Sequence, residues 1–198
     1  MNFFEKISRM AITSLLWFAF TLLGLGIFGI LPATAALFAI FRKWHQGSDI
    51  GSVPAFYWRY YKAHFWDANR SGFFPALIGF IFMINLSILG YHGEDFPLLI
   101  WVAFLLLLAG YLMVALFFFP VYVHYDSHGL GYFKLSGSAA ALQPGKSLLM
   151  LLWFFMILAL SWVLPPMIPF FTPALLAWGL SRYAQKSFQC INEKSSHS

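Results

Sequence analysis

With 198 residues, 61% of them hydrophobic and 10% charged, the chain carries too few charges for a water-soluble domain, in which about a quarter of residues are charged. The apolar content excludes a disordered chain, the lone Cys190 excludes a disulfide scaffold or a cysteine-rich metal site, and a mean hydropathy of +0.74 leaves a polytopic membrane protein. The net charge of +5 is no sign of a nucleic-acid partner, because all twelve Lys and Arg lie outside the apolar runs, where basic residues mark the cytoplasmic side of a membrane protein.

Four stretches contain no Asp, Glu, Lys, Arg or His: 12–41, 71–91, 96–123 and 147–181. About 20 helical residues cross the hydrocarbon core, so the first stretch is too long for one span. Proline kinks a helix that it enters. The sequence therefore predicts a span over 12–31, a kink or break near Gly29 and Pro32, and a short helix from Pro32 to about Trp44. Lys6, Arg9, the apolar run and Ala33-Thr34-Ala35 mimic a secretory leader, but the run is about twice the usual length, so it reads as a retained span.

Residues 42–70 read as a cytoplasmic loop carrying Arg42, Lys43, Arg59, Lys62 and Arg70. Within it Tyr57, Tyr61 and Phe65 would share one side of a helix, with Arg59 and Lys62 elsewhere. That pattern suits a helix lying among anionic headgroups, with membrane lipid as its partner. Docking of a cytoplasmic partner is the other reading. The second span is 71–91, with Asn85 its only amide, and the acidic turn with Glu94 and Asp95 follows. The third is 98–123, ending just beyond Pro120.

In the second loop, 124–146, His124, Asp126 and His128 form a compact polar group. A His pair four apart can share a metal on a helix, but Gly129 and Gly131 argue against a helix there, so the expectation is a solvated turn and no metal. Gly145-Lys146-Ser147 imitates the end of a phosphate-binding loop, yet Ala140 stands where that motif needs its first glycine. The last apolar stretch contains Pro165, Pro166, Pro169 and Pro173 and divides into a hairpin of spans, 147–164 and 167–181. Five spans result, with four as the alternative.

Basic residues then set the orientation. Ten of the twelve fall in the two loops and the C-terminal tail, which places the C-terminus in the cytoplasm and leaves Lys6 and Arg9 on the outside, unless the N-terminus lies along the interface. The first and third spans each meet a proline, Pro32 and Pro120, followed by an aromatic, basic stretch and a returning span. This suits a parallel two-helix repeat, and equally two unrelated hairpins.

No ionisable residue lies within a span, and proton relays and ion paths need such residues. Asn85 is expected to join helices. No nucleophile and base pair up near the membrane surface, so neither catalytic nor cofactor-binding residues are expected. A partial match to the cytoplasmic loop of ABC permeases at Ala140, Ala141 and Gly145 lacks its leading Glu, which is Ala139 here.

Leu15-Leu16-Trp17, Leu22-Leu23-Gly24-Leu25 and the run Gly29-Ile30-Leu31-Pro32-Ala33-Thr34-Ala35-Ala36-Leu37-Phe38 come in a characteristic order. Arg42-Lys43-Trp44, Gly47, the aromatic run ending at Phe65, and Asn69 complete it. Over this first third the chain resembles the YesL-like family of bacterial membrane proteins. The resemblance implies about five spans and an association with carbohydrate uptake; it transfers no catalytic residue. It draws attention to Pro32, Ala33, Thr34, Arg42, Lys43, Trp44 and Asn69.

The expectation is an all-α polytopic protein of the bacterial inner membrane, a single transmembrane domain over 1–198. Its expected role is that of a non-enzymatic accessory to a carbohydrate ABC importer or sensor. Arg42, Lys43, Trp44, Arg59, Lys62 and Asn69 would form the partner or lipid interface. The alternative is a solute transporter or channel formed by self-association, with Gly24, Gly26 and Gly29 allowing close helix contact.

Overall fold

The computed structural model describes residues 3–48, 50–91, 96–127 and 129–196. The chain is α-helical: α1 Phe3–Leu23, α2 Ile27–His45, α3 Val53–Tyr91, α4 Leu98–His124, α5 Gly131–Leu142, α6 Pro144–Val163, α7 Met167–Phe170 and α8 Thr172–Ser196. Four of these, α2, α3, α4 and α6, are long and apolar enough to cross a membrane. The expected acidic turn at Glu94 and Asp95, and His128, lie outside the described residues.

The break expected near Pro32 falls earlier, at Gly24-Leu25-Gly26. Leu25 and Gly26 both adopt positive φ, +59° and +73°, so the chain reverses direction within three residues. Glycine is also required for the close approach of the two helices. A Cβ on Gly24 would meet the Cα of Gly29, and one on Gly29 would meet the backbone of Thr21. Pro32 instead sits inside α2, in its second turn. Pro120 lies near the end of α4, so the two prolines do not occupy equivalent places in their helices.

The hairpin brings both ends of α1–α2 together. The Arg9 guanidinium lies over the Trp44 ring, 6.0 Å from its centroid, and Trp17 Nε1 donates to Thr34 Oγ1 at 3.0 Å. Arg9 therefore shares an end with Arg42 and Lys43, where the sequence placed it on the opposite side. The reason is that one uncharged run of 30 residues forms two antiparallel helices and not one span followed by a short helix.

α2 is the centre of the fold. Pro32, Ala33 and every residue from Ala35 to Phe41 are buried, and the small side chains let neighbouring helices approach closely. α4 runs parallel to it, with Phe38 stacked on Phe119 and an Arg42 Nη1–H donating to the Val123 carbonyl. α3 and α4 are antiparallel, joined by Tyr111 O–H to the Pro75 carbonyl at 2.7 Å. α6 and α8 form the last hairpin, with Ser161 and Thr172 hydroxyls 2.7 Å apart at one end and Ser187 Oγ donating to Gln143 Oε1 at 3.0 Å at the other. α8 in turn meets α1, through Ala174 N–H to Ser14 Oγ at 3.2 Å.

Both expected loops hold regular structure. Residues 53–70 are the first half of α3, a helix of 39 residues whose second half is the predicted span 71–91, and α5 occupies part of 124–146. An uninterrupted helix of that length is about 58 Å long. The last expected span, 167–181, becomes the short α7 and the start of α8.

Candidate functional site

The family-like residues of the first third build a joint between α1, α2 and α3. Pro32 has no N–H to give to the carbonyl four residues before it, that of Phe28. Asn69 Nδ2 supplies the missing donor from α3, at 2.9 Å, and also reaches the Phe65 carbonyl of its own helix at 2.8 Å. One turn further along α2, Tyr57 O–H donates to the Ala33 carbonyl at 2.6 Å, and Tyr61 O–H donates to the Phe20 carbonyl of α1 at 3.1 Å. Thr34 donates to the Ile30 carbonyl while accepting from Trp17. Asn69, Pro32, Ala33, Thr34 and the aromatic run thus act together in holding three helices.

α3 presents three different faces over its first half. Tyr57, Tyr61 and Ala68 point into the protein and are buried against α1 and α2. The expected common side of Tyr57 and Tyr61 is present, but it covers the chain's own helices and not lipid. A second face, Arg59, Lys62, Trp66, Arg70 and Phe73 at helical spacing, is exposed, with Trp66 at 80%. The third face, Phe56, Tyr60, His64 and Asp67, lines a cleft.

This cleft, with a volume of about 840 Å³, opens between α2, α3, the end of α4 and the start of α5. Its α2 wall is Ala39, Arg42, Lys43 and Gln46, one face of the last two turns. Facing it, Tyr122 O–H donates to Asp67 Oδ2 at 2.7 Å, the Tyr60 and His64 rings lie 4.0 Å apart between centroids, and Tyr132 packs on Tyr122 at 4.8 Å. Asp126 and Ser127 close the far side. Burial, with Asp67 and Asp126 adding to it, pushes the Tyr132 phenol above its ordinary value, so it remains a protonated group at neutral pH.

Arg42 braces the cleft by its bond to the Val123 carbonyl; its Nε is buried with no hydrogen-bond partner among the described residues. Lys43 Nζ lies 5.2 Å from the centroid of the Phe56 ring, and the Arg59 guanidinium stands 5.9 Å from the same ring. Trp44 faces the other way, toward Arg9. Of the expected interface residues, Arg42 and Lys43 thus line the cleft, Arg59 and Lys62 face outward, and Trp44 and Asn69 are helix contacts.

His124 and Asp126 do not share a site: Asp126 lines the cleft, whereas His124 turns toward Pro120 and α8. Asn85, expected to join helices, lies on the exposed face of α3 and donates back to the Ile81 carbonyl of its own helix at 2.8 Å. Gly24 and Gly29, expected against another copy of the chain, are taken up by the α1–α2 turn. Sequence reasoning missed Tyr60, His64, Asp67, Tyr122 and Tyr132. The signal was present in the first three with Phe56, whose positions 56, 60, 64 and 67 fall on one side of a helix.

The comparisons with other proteins agree with the first-third pattern. A family described as "Protein of unknown function, DUF624" matches residues 10–86. The chain is 43% identical over 183 residues to "Uncharacterized protein YteU" of Bacillus subtilis (strain 168), covering 90% of this chain and 80% of that protein. It is 32% identical to YesV of the same organism, covering 93% of this chain and 89% of YesV. To YesL it is 26% identical, covering 98% and 91%. No solved structure matches the chain.

Proposed function

The chain belongs to the YesL-like DUF624 family, whose function is unknown, and from that premise we propose that it is a non-enzymatic accessory protein of another membrane protein in the bacterial inner membrane. The partner is a carbohydrate ABC importer or its sensor, and the basic ends of the helices face the cytoplasm. One observation carries the docking: the exposed cationic stripe on α3. Arg59, Lys62 and Arg70 share that face with Trp66, which is 80% exposed. A large exposed aromatic framed by cations is a surface that acidic and aromatic groups of a partner cover favourably.

The test is native purification in a mild detergent with companions identified by mass spectrometry. Importer subunits are expected at near-equal amount with the unaltered chain and are expected to be lost when Arg59 and Lys62 are both replaced by Glu. Both side chains are exposed, so the unfolding midpoint should not move. Association that survives the double replacement removes the α3 stripe from the interface.

A further inference from the structure

We propose that the cleft between α2 and α3 is a binding site for a small sugar that carries a negative charge, a carboxylated or phosphorylated monosaccharide or disaccharide. This goes beyond docking, since it needs only the chain itself. The cleft's volume of about 840 Å³ lies within the range of small-molecule sites, roughly 300–1,000 Å³. It exceeds what a single inorganic ion needs.

The two walls differ in chemistry. On α2, Arg42 and Lys43 both line the cleft, and the Lys43 side chain is exposed. A guanidinium and an ammonium group on one wall suit an anionic group of a ligand. On the opposite wall Asp67 is held by the Tyr122 hydroxyl and retains lone pairs for further donors, and Asp126 stands nearby. Acceptors of that kind suit hydroxyl groups. Between the walls the half-buried Tyr60 ring, backed by the buried Phe56 and Tyr132, offers an apolar face to the C–H side of a sugar ring. An anionic group at one end, hydroxyls at the other and a ring between describe an acidic sugar.

Titration calorimetry on the purified chain in detergent micelles tests this with four probes: glucuronate, glucose 6-phosphate, glucose and serine. One of the two acidic sugars is expected to bind saturably and at least about tenfold more tightly than glucose, and which of them binds identifies the charged group as carboxylate or phosphate. Lys43→Gln should weaken that binding by about tenfold and leave the weak binding of glucose alone, whereas Asp126→Asn should weaken both. Lys43 and Asp126 are exposed, and an unchanged unfolding midpoint confirms that each variant folds. The proposal is overturned if no sugar binds, if glucose matches the acidic sugars, if Lys43→Gln changes nothing, or if zwitterionic serine is preferred. Failure here leaves the docking role of α3 standing, because the purified chain is measured without a partner.

Discussion

Replacing Asn69 should expose how α2 tolerates Pro32. The Phe28 carbonyl loses its helical donor because of Pro32 and receives Asn69 Nδ2 instead, at 2.9 Å. At the surface of a helix in hydrocarbon no water replaces a missing donor, so leaving this carbonyl unsatisfied costs about 1–3 kcal/mol. Interhelical hydrogen bonds in membranes measured by double-mutant cycles average about 0.6 and reach about 1.7 kcal/mol. Asn69→Ala is therefore expected to destabilise the chain by about 1–2 kcal/mol. The second bond of Asn69, to Phe65, adds little, since that carbonyl lies within a continuous helix. The decisive comparison is the same substitution in a Pro32→Ala background. There the backbone regains an N–H for Phe28, and the cost of Asn69→Ala should fall below about 0.5 kcal/mol, a coupling near 1 kcal/mol. Unfolding by added SDS in detergent micelles, followed by the fluorescence of the 8 tryptophans, measures all four corners of the cycle. Equal costs in the two backgrounds would refute the proposed replacement of a backbone donor by Asn69.

Other consequences of the fold are checked in the same way. Gly29→Ala, whose Cβ would run into the Thr21 backbone, should cost about 2 kcal/mol or more, whereas Gly110→Ala, with open space around it, should be neutral or stabilising by up to about 1 kcal/mol. Tyr57→Phe removes the donor to the Ala33 carbonyl from a fully buried ring and should lower stability by about 1 kcal/mol in the SDS titration. Cysteines placed at Ser8 and Ser48 should react with an impermeant thiol reagent from the same side of oriented vesicles, and one at Gly90 from the other. Reaction of the first two from opposite sides would rule out the α1–α2 hairpin.

Pro32 and Gly24 show where the sequence was readable and where it was not. An uncharged run of 30 residues and a proline are visible without a structure, and they correctly signal that one span is not enough. The place of the break was not visible, because a proline whose orphaned carbonyl finds a donor need not end a helix, and the donor, Asn69, is 37 residues away in the chain. The turn went instead to Gly24 and Gly26, where positive φ and close helix approach coincide. The aromatic segment 54–67 was legible as amphipathic from its period, but period alone does not say what covers the apolar side. Tyr57 and Tyr61 cover α1 and α2, as their hydroxyls show by reaching the Ala33 and Phe20 carbonyls. Half of the cleft was legible as a helical row on α3; the other half was not, because Tyr122 and Tyr132 lie on helices separated from it in sequence.

The sequence by itself determined the medium and the class of the fold. Sixty-one per cent hydrophobic residues with few charges permit only structures that satisfy their backbone within each segment, and for this chain those are apolar helices. It also determined, through the order of residues from Leu15 to Asn69, the family. Tertiary structure alone decided that the first run is a hairpin, that Arg9 joins Arg42 and Lys43 at one end, and that two cations face Asp67 and Asp126 across a cleft. The physical reason is reach: hydropathy and helical period act over one or two turns, whereas the carbonyl of Phe28 and the carboxylate of Asp67 find their partners only after helices distant in sequence have packed side by side.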